Sequence, residues 1–197
     1  MTKLNKKVLL TLIFLSALIP VVAADVIYYY SGSITVKTTA MPIKLEVGSN
    51  GCVTGYISTT VCNDGKGCSF GYSFSSTIYI TNSTYDYYYH FLKIKACKTG
   101  NVFVTNVNIG TTTKIENAWL VLQSGNTILK EFQIISDGAA YHCTAVCSLA
   151  AGNTYCVSLL IQPTNPLPNS GCNIGTIHVY LGYDVVTNGP AICLPPT

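Results

Sequence analysis

Hydrophobic and polar positions alternate with a period of two along most of this chain. That is the pattern of strands with one face buried and one face wet. The stretch DVIYYYSGSITVK, residues 25–37, sets Val26, Tyr28, Tyr30, Ile34 and Val36 on one side, with Gly32 among them. Ile27, Tyr29, Ser31, Ser33, Thr35 and Lys37 fall on the other. PIKLEVG alternates from Ile43 through Leu45 to Val47. Further β-prone stretches follow: GCVTGYISTTVC, CSFGYSFSSTIYIT, TYDYYYHFLKIKAC, NVFVTNVNIG, AWLVLQSGNTILKEFQII, AAYHCTAVCSL, NTYCVSLLIQ and GTIHVYLGYDVV. They are rich in β-branched and aromatic residues.

Turn formers separate these runs. NDGKG at 63–67, SGN at 124–126 and AAGN at 150–153 predict hairpin loops. PTNPLPNSG at 163–171 is punctuated by prolines, which end a strand. The best stretch for a helix is TTTKIENAW at 111–119, and its β-branched residues argue against one. About ten strands in one uninterrupted run predict an all-β fold, a jelly-roll-like β-sandwich.

One segment breaks the alternation. MTKLNKK carries three lysines, and VLLTLIFLSALIPVV is an apolar run ending near the small residues before Asp25. This reads as a secretory signal peptide over residues 1–24. An uncleaved anchor is the alternative, but a span needs about 20 apolar residues. Residues 25–37 then form an N-terminal strand and 38–197 the sandwich domain. The expected location is extracellular.

Removal of the leader changes the charge. All eight acids remain, and three of the eleven cationic residues leave, so the formal net charge falls from +3 to zero. There is no arginine. Nothing here favours nucleic acid, whose binding rests on neutralising phosphates. Only sixteen charged residues remain to solubilise the surface. Either neighbouring chains or glycans must cover much of it.

Nine cysteines lie after the leader: Cys52, Cys62, Cys68, Cys97, Cys143, Cys147, Cys156, Cys172 and Cys193. In a secreted chain they predict disulfides, with the pairing open and one cysteine left over. His142, Cys143 and Cys147 are close in sequence, but in a strand residues 143 and 147 stand about 13 Å apart, too far to chelate one ion. NDGK lacks the repeated acidic ligands of a calcium loop. The three histidines, His90, His142 and His178, sit in strand-like stretches, and no nucleophile elbow is present. Asp64 and Asp137 fall in turns, and Glu46, Asp86, Glu116, Glu131 and Asp184 read as solvent-side strand residues. The chain is expected to be no enzyme, with no cofactor, no metal site and no small-molecule substrate. NST at 82–84 makes Asn82 a candidate glycosylation site.

The first strand can serve its own sandwich or a neighbour's. In the second case Val26, Tyr28, Tyr30, Ile34 and Val36 fill a groove in the next subunit, Gly32 leaves a notch, and KTTAMP at 37–42 is a short hinge in which Pro42 interrupts pairing before the next strand. The leader, the strand YYYSGSITV, then TTAMPIKLEVGSNG and a run of sandwich strands together resemble the subunits of archaeal bundling pili. These are similar to the TasA and camelysin-like filament proteins of biofilm matrices. LAAGNTYCVSLLIQ also resembles the strand–turn–strand carried by that group. The resemblance spans the layout of the whole mature chain. It implies a jelly-roll subunit polymerised head to tail by donor-strand complementation, with copies of itself as partners and neighbouring filaments or the cell surface beyond them. Cell–cell adhesion or biofilm support would be the role. The many cysteines depart from that pattern and would suit a hyperthermophilic host. A virion surface protein of an archaeal virus, or a monomeric surface-layer or binding protein, would share the leader and low charge. N-terminal sequencing of the secreted protein is expected to begin at Asp25, whereas a retained Met1 would identify an anchor.

Overall fold

The structure is a computed structural model. It describes residues 6–8, 10–11, 13–14, 33–35, 40–62, 71, 73–110, 114–141, 145–169 and 171–184. Two units separate, Met1–Thr39 and Ala40–Thr197. In the first, the described residues between 6 and 14 are helical, as an apolar run allows. Residues 33–35 belong to no strand, and the Ile34 side chain is 92% exposed. The alternating pattern of 25–37 predicted a strand there. A strand exists only where a partner supplies its ladder, and at these three positions none of the described residues does.

The second unit is an all-β sandwich. Its strands are β1 (Ile43–Val47), β2 (Cys52–Val53), β3 (Ile57–Cys62), β4 (Ser73–Ile78), β5 (Asp86–Ala96), β6 (Gly100–Ile109), β7 (Ile115–Ser124), β8 (Thr127–Ser136), β9 (Ala139–Ala140), β10 (Val146–Leu149), β11 (Thr154–Pro163) and β12 (Ile177–Asp184). The stretch at 111–119 is no helix over its described residues, because β7 starts at Ile115 and pairs along β11. The hairpin predicted at SGN joins β7 to β8 through Gly125, at φ +57°, and Asn126.

One large sheet has the order β1-β5-β11-β7-β8-β9. Two three-stranded sheets, β10-β6-β12 and β2-β3-β4, complete the described strands, and every pairing between strands is antiparallel. The sheet containing β6 lies against β8 and β9, and the one containing β3 lies against β1 and β5. Alternation decides what goes inside. Leu92, Ile94 and Ala96 of β5, Leu120 and Leu122 of β7 and Val157, Leu159 and Ile161 of β11 all join one buried cluster. Leu92 and Ile161 are among the largest side chains almost wholly withdrawn from water. Each such side chain contributes about 1.5–3 kcal/mol of burial.

The alternation is interrupted once in β5. Val157 pairs with Leu92 but Leu159 pairs with Tyr88, so Tyr89, His90 and Phe91 oppose Ser158 alone. His90 takes φ +50°, a left-handed conformation. Its N–H donates to Ser158 Oγ at 2.9 Å, and Ser158 Oγ–H donates to Gln123 Oε1 at 2.6 Å. Both Ser158 and Gln123 are buried. The bulge's carbonyls are capped from the other side, since Gly48 N–H donates to Phe91 O and Asn50 N–H to His90 O. Gly48 is required there, because a Cβ would stand 1.9 Å from His90 O.

The His90 ring stacks on Tyr89 with centroids 3.6 Å apart, and its Nε2 has no hydrogen-bond partner. Burial pushes the imidazole pKa below its ordinary value, and the nearby Lys93 charge adds to this. The Gly125 backbone and the Gln123 side chain nearby pull the other way. The unfolded chain therefore takes up the proton first. Stability is full above the ordinary value of 6.5 and falls as pH drops from there towards the lowered folded-state value. In chemical denaturation between pH 8 and pH 5, His90→Asn should flatten this part of the slope while tolerating the left-handed backbone. His90→Val should instead cost about 1–3 kcal/mol at every pH through backbone strain.

Candidate subunit interface

Among the described residues, β12 is paired on one side only, with β6. Its inward row is Ile177, Val179, Leu181 and Tyr183, all packed against the core yet only half-buried. The register slips between Tyr180 and Leu181, and Thr105 Oγ1–H fills the irregularity by donating to Tyr180 O at 2.9 Å. At Gly182 a Cβ would stand 2.5 Å from the Phe103 ring and 2.6 Å from Thr105 Cγ2. Glycine thus lets the outward face of β6 close over β12.

β4 is also an edge, pairing only with β3 among the described residues. Its sequence SFSSTI holds no charge and no proline, and its register with β3 runs without a slip. Protein edges are normally blunted by such devices. β12 carries only Asp184 as a formal charge, at its end. These two edges offer backbone groups to an added strand.

Of the predicted donor-strand residues, Ile34 is described and stands in solvent. Val26, Tyr28, Tyr30, Gly32 and Val36 lie outside the described residues. Pro42, read as a hinge, is tied down: its carbonyl accepts the N–H groups of Cys97, at 2.7 Å, and Lys98, at 3.2 Å.

Cys52, Cys62, Cys97, Cys147, Cys156 and Cys172 are free thiols. The disulfide framework expected from the cysteine count is therefore not present among them, and Cys68, Cys143 and Cys193 lie outside the described residues. The strand geometry keeps these thiols apart. Cys147 of β10 faces the core, and burial raises its pKa. Cys156 lies between inward Tyr155 and Val157, on the opposite face of the large sheet beside Lys93 and Gln123. Cys52 sits opposite Ser58, four positions from Cys62 and roughly 13 Å along the strand.

Asn82 occupies an exposed bend, where its Oδ1 accepts the Leu167 N–H at 2.8 Å. Of the acids read as solvent-side, Glu116 and Glu131 are exposed, whereas Glu46, Asp86 and Asp184 are half-buried. Asp86 holds a turn, accepting from Thr81 N–H, Thr81 Oγ1–H and Ser83 Oγ–H. Asp137 lies in the β8–β9 turn at φ +51°. Asp64 and His142 are outside the described residues, and His178 points outward from β12. No cluster of three metal-ligating side chains occurs among the described residues.

Reading from sequence missed the edge position of β12 and the Ser158–Gln123–His90 link. Alternation reports which residues face inward, but not which strands lack a neighbour. No known family matches this chain, and no curated protein matches it either. Gly182→Val should destabilise the domain by about 1–3 kcal/mol through overpacking against Phe103. The shift would be read from the urea midpoint of the isolated subunit.

Proposed function

We propose that this chain is a secreted structural subunit that polymerises through its N-terminal strand, with residues 25–37 of one copy added beside β12 of the next. The observation that carries the reading is Ile34. An apolar side chain in an alternating segment stands 92% exposed, as a plug awaiting a groove would. The receiving side is supported by β12, whose inward row is half-buried and whose outer edge has no described neighbour.

The energetics favour this arrangement. An added strand gains a ladder of backbone hydrogen bonds for its affinity and side-chain pockets for its register. Each apolar plug adds about 1.5–3 kcal/mol. The contact is heterologous, joining the N-terminal segment of one copy to a different surface of the next. Repeated, it extends into a filament rather than closing into a dimer. Low surface charge suits packing of subunits in such a polymer. A jelly-roll filament subunit acting in cell–cell adhesion or a biofilm matrix is the role that fits.

Ile34→Asp tests this without threatening the fold, because the side chain is already in solvent. The critical concentration for filament growth should rise at least about tenfold, the equivalent of one lost plug. Sedimentation and electron microscopy of the secreted protein would measure it. Filaments that form equally well with Ile34→Asp and after deletion of residues 25–36 would refute donor-strand polymerisation.

A further inference from the structure

A second feature of the sandwich has no part in strand addition. Five tyrosines line a cleft of about 330 Å³ between the β2–β3 turn and the start of β5, and three of them are exposed. Tyr56 is 60% exposed, Tyr79 50% and Tyr87 49%. Their phenol groups make no hydrogen bond to any described residue. The backbone holds the rings in place, since Tyr79 N–H donates to Tyr56 O at 3.0 Å and the buried Tyr88 hydroxyl donates to Tyr79 O at 2.9 Å. Asn50, Thr81 and Asp86 supply polar groups to the same cleft.

Exposed aromatic rings on rigid backbone favour a ligand with flat, weakly polar faces. The walls contain no cation and one carboxylate. That excludes anionic ligands and argues against single-stranded nucleic acid, which needs a basic groove beside its stacking rings. It also disfavours a polyproline segment. Its carbonyls accept from the phenol and Asn50 donors, but it has no N–H for the open acceptor position of Asp86, so it satisfies only part of the wall. A carboxylate has about four acceptor positions, and Asp86 uses three of them on Thr81 and Ser83. One position remains for a donor from outside. A neutral sugar satisfies each wall. Its axial C–H face carries partial positive charge and lies against the negative face of an aromatic ring. Its hydroxyls donate to a carboxylate and exchange hydrogen bonds with amide and phenol groups. The volume suits one or two sugar rings, at the small end of the usual range for ligand clefts of roughly 300–1,000 Å³.

We infer that the Tyr56–Tyr79–Tyr87 cleft binds a neutral saccharide, with the rings as stacking platforms and Asp86 and Asn50 orienting the hydroxyls. The secreted protein would be mixed in turn with four uncharged tetrasaccharides: β-1,4-glucose, α-1,4-glucose, α-1,6-mannose and β-1,4-N-acetylglucosamine. Saturation-transfer NMR reads which sugar protons touch the protein. At least one probe should bind with roughly millimolar Kd, with transfer concentrated on axial C–H protons. Tyr56→Ala and Tyr87→Ala should each weaken it about three- to tenfold. Tyr141→Ala, at an exposed tyrosine outside the cleft, should not. The inference is overturned if none of the four sugars binds, if binding survives both cleft substitutions unchanged, or if only a decaproline or an oligothymidine probe binds.

Discussion

Backbone N–H and C=O groups along a sheet edge must find partners, and this chain has few charged side chains with which to keep other strands away. The other features follow from that constraint. Inside the large sheet the demand is met completely: β5, β11 and β7 are long, paired on both sides and buried. The demand is passed outward to β4 and β12, where the described structure offers no second neighbour. Most secreted sandwiches answer with lysine, proline or a bulge on the edge strand. β4 has none of these, and β12 has one register slip and one terminal aspartate. Edges unpaired among the described residues and left unblunted in this way are suited to a specific added strand, and the same chain carries an alternating segment with Ile34 standing in water.

Much of the fold is legible in the sequence because burial and period coincide. Along β3 the classes alternate strictly, with Ile57, Thr59 and Val61 inside and Ser58, Thr60 and Cys62 outside. The β7–β8 hairpin announces itself through Gly125 and Asn126. The bulge in β5 does not, because YYYHF is an aromatic run that reads the same in either register. Its cause lies in long-range partners, Ser158 and Gln123 in the middle of other strands and Gly48 upstream, and no local pattern encodes them. The cysteines mislead for a related reason. Their number suggested cross-links, but Cys147 of β10 faces the core while Cys156 of β11 lies on the face of the large sheet turned away from it.

The candidate site was only half visible. Residues 25–37 stand out as a strand by period alone, and Ile34 was singled out with them. The surface that would receive the strand was not, since an edge is a property of topology. GTIHVYLGYDVV looks like any other inner strand. Only the pairing of β12 with β6 alone, together with its half-buried row, distinguishes it. Pro42, the last residue of KTTAMP, was read as part of a hinge from its polar neighbours, and no local pattern showed that its carbonyl accepts the N–H groups of Cys97 and Lys98 just past β5.

The two proposed surfaces reinforce each other physically. No residue of β12 lines the tyrosine cleft, so adding a strand at β12 removes no cleft residue from a ligand. A shallow cleft with three stacking rings binds a sugar weakly, because each ring adds only about 0.5–1.5 kcal/mol beyond area burial. Repetition changes that. A filament presents the same cleft once per subunit, and a polysaccharide presents the same sugar many times. After the first contact the remaining ones are intramolecular, and avidity can exceed single-site affinity by about 10²–10⁴ without any new contact. Polymerisation would then be the step that converts a weak subunit site into a strong adhesive. A monomer with the same cleft would hold a polysaccharide only transiently.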